Sequence, residues 1–280
     1  MSHKQQVVLG EVQETLLIPL YGRAVEARKP RSVLRDPRSV EMVDSIDYDF
    51  AKLDSSNQAL FACAMRTAII DEWVRGFLAE HPSGTVVELG TGLNTRFDRV
   101  DNGTVRWIDI DLPDVIELRR AFFGDKDRYR MIAASITEDA WLDEVVRSGG
   151  PYLLVSEAVL AYLAEEDVRS LFRRVASRLP GAWVVTDTFS RMLVEQILAR
   201  DVRKVMSMKM LWTCGDPREV ERWGVGARLL ETRNLGQPQA ALRRRMPPVY
   251  RVGMAVADRL GGRRLDGYRL NLYKVAEPDK

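Results

Sequence analysis

The sequence predicts a Rossmann-like, doubly wound α/β fold built on a largely parallel sheet. Between about residues 85 and 190, short apolar segments alternate with helical patterns, which is typical of a parallel sheet with helices on both faces. Several of these segments are rich in Val, Ile and Leu, as strands buried on both faces should be. A tight glycine turn directly after the first segment is typical of the same fold. The predicted strands are residues 85–89, 105–110, 130–134, 152–156 and 183–188, and the predicted helices between them are residues 115–123, 138–146 and 165–179.

The segments on either side of this core predict covers over the open end of the sheet rather than independent domains. Residues 12–80 have helical patterns and end in a strong helix at 56–80, whereas residues 190–265 are mixed, with a helix predicted at 191–210. Residues 268–275 alternate cleanly and predict an antiparallel strand near an edge. We expect one domain over residues 1–280, made of an N-terminal helical cover (1–80), a cofactor-binding core (81–190), a C-terminal helical insertion covering the substrate (191–265) and a final strand (266–280).

Composition excludes several classes of protein. Forty-two Lys and Arg against 40 Asp and Glu give a formal charge of +2, which is too even for a nucleic-acid partner or a polybasic membrane patch. The two cysteines, Cys63 and Cys214, have neither the number of a disulfide framework nor the spacing of a structural zinc site. No apolar run of about 18 residues predicts a spanning helix, and the N-terminus lacks the order of a secretory signal. We expect a cytoplasmic protein without membrane contact.

The glycine turn Leu89-Gly90-Thr91-Gly92 is the most informative segment. Gly90 and Gly92 remove side chains where a ligand must approach the backbone at the carboxyl end of a strand. A dinucleotide fingerprint requires Gly or Ala three residues after the second glycine, but Thr95 stands there, and the chain has no Gly-Lys-Ser/Thr phosphate loop. A nucleoside cofactor without phosphates, S-adenosylmethionine, therefore fits better than a nicotinamide dinucleotide, although a structural turn without a ligand stays open.

The next strand supplies an acid for a ribose. Asp109 and Asp111 alternate onto one face, and Asp111 lies nearer the strand end. Asp111 follows Gly90 by 21 positions, close to the spacing of about 20 residues expected for a ribose-binding acid. A metal at this Asp-x-Asp pair would need further oxygen ligands that the sequence does not identify, so we expect no metal site.

Two charged residues stand where the sequence predicts apolar surroundings or the ligand crevice. Arg66 shares a helical side with Trp73 and Phe77, whereas Asp71 lies opposite. A guanidinium facing the core needs an anion, which is either a structural carboxylate or the carboxylate of a cofactor or substrate. Glu157 follows a strand at its carboxyl end, where it either receives a cofactor amino group or is a solvated acid.

Taken in order, these residues resemble the leucine carboxyl methyltransferase family, in particular its bacterial branch that tailors polyketides and other secondary metabolites. The resemblance covers residues 20–190 and implies a class I S-adenosylmethionine-dependent methyltransferase. The matching segments are residues 89–96, 109–113 and 156–163, together with 64–66 and Asp47-Tyr48-Asp49-Phe50.

The resemblance also implies roles for individual residues. Arg66 matches an arginine that meets the cofactor carboxylate beside the substrate acid, and Tyr162 matches a tyrosine near the methyl acceptor, so both are candidate catalytic residues. Asn94 stands where the family usually has Asp, and Ser135-Ile136 stands where eukaryotic members have Asp-Leu near the adenine. The candidate cofactor-binding residues are Arg23, which matches a basic residue closing over the cofactor, with Arg66, Gly90, Gly92, Asp111, Ser135, Ile136 and Glu157.

The small number of histidines that could act as a base favours a carboxylate over a hydroxyl as the methyl acceptor. A carboxyl group has a pKa of roughly 4 and is already ionised at neutral pH, whereas a phenol, with a pKa of about 10, usually needs a base. Histidine most often serves as that base. The chain has two histidines, His3 and His81, and we expect His81 to be a surface cap at a helix end. We expect a small-molecule carboxylic acid to be methylated. Hydroxyl methylation, or cofactor binding without catalysis, is the alternative.

The segment after residue 190 contains many Met and Trp residues. Packing explains this set, and the alternative is that it lines a pocket for an aromatic or otherwise apolar acid. Its members are Met192, Met206, Met208, Met210, Leu211 and Trp212.

Overall fold

The computed structural model describes residues 11–53, 57–199, 209–253, 256 and 267–277. Within these residues seven strands form one sheet, in the order β3-β2-β1-β4-β5-β7-β6. The first five strands pair in parallel, and β7 is antiparallel to both β5 and β6. The strands are β1 (Thr85–Leu89), β2 (Arg106–Asp111), β3 (Tyr129–Ala133), β4 (Tyr152–Ser156), β5 (Trp183–Phe189), β6 (Ala227–Arg233) and β7 (Tyr268–Val275).

Helices cover both faces of this sheet and one of its ends. In the N-terminal part, α1 packs against both α2 and α3, which confirms the predicted helical cover. The helices in the described residues are α1 (Glu11–Ala27), α2 (Pro37–Ser45), α3 (Asn57–Glu80), α4 (Arg96–Val100), α5 (Pro113–Arg120), α6 (Ala140–Ser148), α7 (Glu165–Arg178), α8 (Arg191–Ala199), α9 (Glu219–Arg222) and α10 (Ala240–Arg245).

The core has one apolar cluster on each face of the sheet. Alternate residues of β1 show this directly, because Val86 packs into the cluster that contains Trp73 and Phe77 of α3, whereas Val87 packs into the opposite one with Trp141 of α6. Every residue of β1 is buried, as expected for a central parallel strand. The pattern of continuous apolar strands is therefore confirmed.

Strand β6 is an element that the sequence did not predict. Residues 227–233 fall in the stretch interpreted as mixed, and although exposed and less exposed positions alternate along the strand, the sequence Ala-Arg-Leu-Leu-Glu-Thr-Arg does not alternate apolar with polar residues. The register of β6 against β7 shifts between Leu229 and Glu231, and such a bulge interrupts the period of two on which strand prediction depends. Residues 268–275 form the predicted antiparallel strand, next to this edge.

The helix predicted over residues 191–210 is too long. Helix α8 ends at Ala199, residues 200–208 lie outside the described part of the chain, and Lys209 and Met210 are not helical. The backbone N–H of Leu211 instead donates to the carbonyl of Ala161 at 2.7 Å. This contact pairs the segment with the loop after β4, an interaction that helical spacing does not reveal. No helix among the described residues is long and apolar enough to cross a membrane.

Candidate active site

A cavity of about 540 Å³ lies at the carboxyl ends of the parallel strands. Strand β1 has β2 on one side and β4 on the other, so the sheet order reverses there, which is where ligands bind in doubly wound folds. The structure brings every candidate residue named from the sequence to this cavity. They are Arg23, Arg66, Gly90, Gly92, Asp111, Ser135, Ile136, Glu157 and Tyr162.

The glycine turn after β1 requires glycine for two reasons. Gly90 has φ +70° and Gly92 has φ +51°, in the left-handed region that side chains disfavour. A Cβ on Gly90 would also overlap the side chain of Val159, and one on Gly92 would lie 3.1 Å from Leu16 Cδ2. The turn therefore exposes its backbone to the cavity, as close approach of a ligand requires.

Asp111 at the end of β2 is tied to this turn. Its Oδ2 accepts a hydrogen bond from the Gly92 backbone N–H at 2.7 Å, and its Oδ1 accepts one from the N–H of Leu112 at 2.8 Å. Burial raises the pKa of Asp111, although the two backbone donors oppose the shift. Each carboxylate oxygen keeps a further acceptor site, so the group can still accept hydrogen bonds from a ligand in the cavity.

Asp109 shares the face of Asp111 but has a structural role. Its side chain is fully buried, and its Oδ2 accepts from Arg119 Nε at 2.8 Å and from the Tyr129 hydroxyl. Arg119 in turn donates to the carbonyls of Gly92 and Asn94, at 2.9 and 2.7 Å, and so holds the glycine turn. Among the described residues, no group of His, Cys, Asp and Glu could hold a metal ion.

Arg66 and Glu157, for which the sequence left the partners open, pair with each other. Nε of Arg66 donates to Oε1 of Glu157 at 2.7 Å, and the Thr67 hydroxyl donates to the same oxygen at 2.8 Å. Oε2 of Glu157 accepts from Nη2 of Arg96. Burial alone would raise the pKa of Glu157, but the Arg66 and Arg96 guanidiniums hold it well below its usual range. Glu157 is therefore an ionised, nearly buried carboxylate on the cavity wall.

The terminal nitrogens of Arg66 matter for binding. Among the described residues, Nε is the Arg66 atom with a hydrogen-bond partner, so Nη1 and Nη2 of this largely buried side chain keep their donors for a ligand in the cavity. Paired guanidinium donors match the geometry of a carboxylate. The arginine can thus hold Glu157 through one nitrogen and a ligand carboxylate through the others.

A buried ion network behind the site was not found from the sequence. Asp71, which lies on the side of α3 opposite to Arg66, is fully buried. It accepts from Arg96 Nε at 2.7 Å and from Arg99 Nε at 2.8 Å. Burial would raise the pKa of Asp71, yet the two guanidiniums lower it. The signal available in the sequence was the position of Arg96 and Arg99 in the segment that directly follows the glycine turn.

Arg23 reaches the cavity from α1. Its Nε donates to Asp36 Oδ2 at 3.2 Å, and its Nη2 donates to the carbonyl of Leu93 at 2.7 Å. The same Asp36 oxygen accepts from the Thr95 hydroxyl at 2.6 Å and from Arg99 Nη1 at 2.9 Å. One buried carboxylate therefore joins the N-terminal cover to the segment that follows the glycine turn. The resemblance that named Arg23 gives no indication of Asp36.

Thr91, in the glycine turn, has a hydroxyl that is unpaired among the described residues, and Asn94, just after the turn, stands in place of an expected Asp. The Thr91 hydroxyl is buried, and within the described residues it has no hydrogen-bond partner, which is costly unless a ligand or water supplies one. Asn94, where the resemblance expects Asp, accepts from the Arg96 backbone N–H at 3.1 Å and from Arg99 Nη2 at 3.3 Å. Its amide thus keeps the hydrogen-bonding role without the charge.

The side of the cavity with Ser135 and the side with Tyr162 differ in character. Ser135 and Ile136 lie in the loop after β3, where the Ser135 hydroxyl pairs with that of Thr137 at 2.7 Å. Tyr162 lies beyond Glu157, and burial raises the pKa of its hydroxyl. The apolar residues that line the cavity around it include Val159, Leu163, Phe189, Ile197 and Met210.

The pocket hypothesis for the Met- and Trp-rich set is right for one described member only. Met210 lines the cavity, whereas Met192 and Leu211 are 52% and 59% exposed. Trp212 packs into the apolar core below β4 and β5. Met206 and Met208 lie outside the described residues. Phe189 of β5 and Ile197 of α8, which the sequence did not single out, also line the cavity.

The strand order, the glycine turn and the acid at the end of β2 define a class I S-adenosylmethionine-dependent methyltransferase. Two solved structures share this fold at low sequence identity. A DUF574 family protein from Streptomyces avermitilis superposes with a TM-score of 0.61 at 17% identity, over 94% of this chain and 97% of that one. An O-methyltransferase family protein from Burkholderia thailandensis superposes with a TM-score of 0.50 at 16% identity, over 96% of this chain and 71% of that one.

The family follows from the sequence match. The family model described as leucine carboxyl methyltransferase matches residues 17–176, and the chain belongs to this family. A relative from Streptomyces glaucescens, the tetracenomycin polyketide synthesis O-methyltransferase TcmP, is 38% identical over 81% of this chain and 84% of its own length. The S-adenosyl-L-methionine-dependent methyltransferase dpfgK from Gibberella zeae is 32% identical over 78% of this chain and 80% of its own length.

Proposed function

We propose that this chain forms a methyl ester on the carboxylate of an apolar small-molecule acid, with S-adenosylmethionine as methyl donor. When bound, the cofactor supplies a methyl group on a sulfonium, which is transferred by in-line displacement. The choice of acceptor rests on Arg66, whose terminal nitrogens have no hydrogen-bond partner among the described residues, at a cavity whose described lining contains no histidine.

The residues present fit the cofactor on three observations. Gly90 and Gly92 line the cavity without a side chain of their own, and the Thr91 hydroxyl, which lies in the same turn, lacks a partner among the described residues. Asp111 keeps acceptor capacity for ribose hydroxyls. The ionised Glu157 is an acceptor for an ammonium group, and Arg66 and Arg23 are donors for a carboxylate. Ser135 and Ile136 would lie against the adenine.

An ionised acceptor needs orientation and a dry site more than a base. Holding two reactants in the right geometry converts a bimolecular step into an intramolecular one. Arg66, fixed through Nε by Glu157, orients a carboxylate without moving itself, and the Tyr162 hydroxyl can donate a second hydrogen bond to it. Phe189, Ile197 and Met210 exclude water around it, so the attacking oxygen is less solvated.

Hydroxyl methylation on the same scaffold is the competing function. A phenol would require a base, and the ring of His81 lies between Phe77 and Trp183, with centroid distances of 5.0 and 6.5 Å, after α3 and before β1. That position is at the amino ends of the strands, away from the cavity. The other histidine, His3, is outside the described residues. This arrangement favours a carboxylate acceptor.

The acceptor class follows from the apolar wall and from the relative TcmP, whose name places it in polyketide synthesis. We propose a polyketide-like acid as substrate. The test is to incubate the protein with labelled S-adenosylmethionine and a panel of aromatic acids and matched phenols, and then to treat the product at mildly alkaline pH. Release of labelled methanol identifies an ester. An alkali-stable labelled product refutes the carboxylate, and cofactor binding without any transfer supports a non-catalytic protein.

A further inference from the structure

The chain leaves β4 in a conformation that is unfavourable for its sequence. Ala158 follows Glu157 and has φ +58°, which makes it the non-glycine residue with positive φ among those described. The left-handed region places Cβ too close to the carbonyl oxygen for an L-residue, and such backbone persists only where surrounding contacts hold it. Ala158 also lines the cavity, so what holds it bears on the site.

A buried carboxylate on the neighbouring strand holds this backbone. The N–H of Ala158 donates to both oxygens of Asp187, at 3.0 and 3.1 Å. The Tyr268 hydroxyl donates to Asp187 Oδ2 at 2.6 Å. Asp187 is fully buried, and none of the roles described above uses it. Burying a carboxylate is costly, and an apolar side chain could occupy such a position with little loss of stability. The carboxylate at this position therefore indicates that its hydrogen bonds have a role.

The sheet register shows why the bond is needed. Pairing between β4 and β5 ends at Ser156 opposite Thr186. Beyond that pair the backbone of β4 turns away from β5, and the side chain of Asp187 accepts the next outward-facing N–H in place of a strand carbonyl. The turn occurs at the peptide that links Glu157 to Ala158. The direction of the Glu157 side chain toward Arg66 and Arg96 therefore depends on the backbone that Asp187 fixes.

We propose that Asp187 is a positioning residue: by holding Ala158 in the left-handed conformation it aims the Glu157 carboxylate at Arg66 and so prepares the cavity for the amino-acid end of the cofactor. This inference rests on the proposed function of the cavity. Asp187 acts through the backbone and does not line the cavity itself. Burial raises the pKa of Asp187, and Arg66 and the Tyr268 and Ala158 hydrogen bonds oppose that shift, consistent with a carboxylate that is kept in place by its donors.

The left-handed conformation provides a direct test, because glycine adopts it without penalty. The experiment compares wild type, Asp187→Ala, Ala158→Gly and the double variant Asp187→Ala/Ala158→Gly by calorimetric titration with S-adenosylhomocysteine and by thermal unfolding. We expect Asp187→Ala to weaken binding at least about tenfold. We expect the double variant to recover part of that loss, since a glycine at position 158 no longer needs the anchor. The proposal would be overturned if the affinity losses of the two single variants simply added in the double variant. Wild-type affinity in Asp187→Ala would also overturn it.

Two further variants separate the hydrogen bond from general loss of stability. Asp187→Asn keeps an oxygen that can accept from the Ala158 N–H, so we expect it to bind the ligand more tightly than Asp187→Ala. Affinity as low as that of Asp187→Ala would contradict the backbone role. Tyr268→Phe removes the other donor to Asp187 while leaving the two bonds to Ala158, so we expect a smaller loss. An equal loss would assign the effect to the Tyr268 contact instead.

The design also distinguishes failure of this inference from failure of the proposed function. If the wild-type chain does not bind S-adenosylhomocysteine, the proposed function of the cavity is wrong. The unfolding midpoints of the same four proteins then test the link between Asp187 and residue 158 without a ligand. Non-additive midpoints support the link, and additive midpoints remove it.

Discussion

Arg23 and Asp36 form an ion pair in which neither side chain is more than 2% exposed, with Arg23 Nε 3.2 Å from Asp36 Oδ2. The pair joins α1 to the residue that precedes α2, where Asp36 also accepts from the Ser39 backbone N–H at 3.0 Å as the helix cap. Burial would raise the pKa of Asp36, but Arg99 and Arg23 lower it. Together with Asp71 of α3, this ionised carboxylate links the N-terminal cover to the segment after the glycine turn.

Asp36→Ala should destabilise the protein strongly, because it removes the carboxylate partner of the buried Arg23 and one of the two carboxylate partners of Arg99. Breaking a buried pair by removing one partner costs about 3–5 kcal/mol. The matched control is Asp44→Ala, since Asp44 pairs with Arg28 at the surface, with side chains 63% and 40% exposed. Such pairs contribute less than about 1 kcal/mol. Urea unfolding of the two variants measures the difference, and equal losses would show that Asp36 has no special role.

Arg66→Ala and Arg96→Ala should separate activity from stability. Glu157 keeps its bond to Arg96 when Arg66 is removed, so we expect Arg66→Ala to fold while its methyl transfer falls by a factor of at least about 100. Arg96 neutralises Asp71, Glu88 and Glu157 at once, so Arg96→Ala should unfold at a much lower temperature. Thermal unfolding together with kcat/KM for each variant provides the test. Wild-type turnover in Arg66→Ala would remove that residue from the site.

Asp111→Ala should weaken cofactor binding and also lower the unfolding midpoint, because it removes the acceptor of the Gly92 and Leu112 backbone N–H groups. The change removes the predicted ribose acceptor together with the bond to the Gly92 N–H, and hydrogen bonds to charged groups contribute about 1.5–3 kcal/mol each. We expect a loss of affinity of about tenfold or more. Glu117→Ala, an exposed acid on the adjoining helix α5, is the control. Calorimetric dissociation constants that agree for the two variants would exclude the ribose role.

Glu88 should make stability depend on pH. Burial raises its pKa from 4.5 to about 7, with Arg96 opposing the shift. Because the folded state holds this proton more tightly than the unfolded state, stability from Glu88 is fully present below pH 4.5 and declines as pH rises toward 7. The decline amounts to at most about 3 kcal/mol, at 1.36 kcal/mol for each unit of pKa.

Glu88→Gln tests this dependence because it keeps the shape of the side chain and removes the titration. We expect the difference in free energy of unfolding between Glu88→Gln and wild type to change in favour of the variant between pH 5 and pH 7. Urea unfolding at several pH values measures it. Parallel pH profiles for the two proteins would show that Glu88 does not titrate in this range.

The elements that the sequence predicted well are those with a local signal. The core strands were found to within a residue or two, because buried parallel strands are continuous apolar runs. Gly90 and Gly92 were informative because positive φ restricts residue choice at the position itself. The bulged strand β6 was missed because its register against β7 shifts, and the helix predicted over residues 191–210 reaches too far because the segment at Leu211 pairs with the loop after β4.

The sequence by itself determined the fold class and the glycine turn, because strand periodicity and the position of the turn are local signals, and its resemblance to a family named the further residues that the structure places at the cavity. The tertiary structure decided which charges pair there. The partners are far apart in the chain: 91 residues separate Arg66 from Glu157, and 63 separate Asp36 from Arg99. Asp187 and the backbone of Ala158 are 29 residues apart. No pattern in the sequence reports partners at such separations, because a buried charge is satisfied by whatever the fold places within hydrogen-bonding distance.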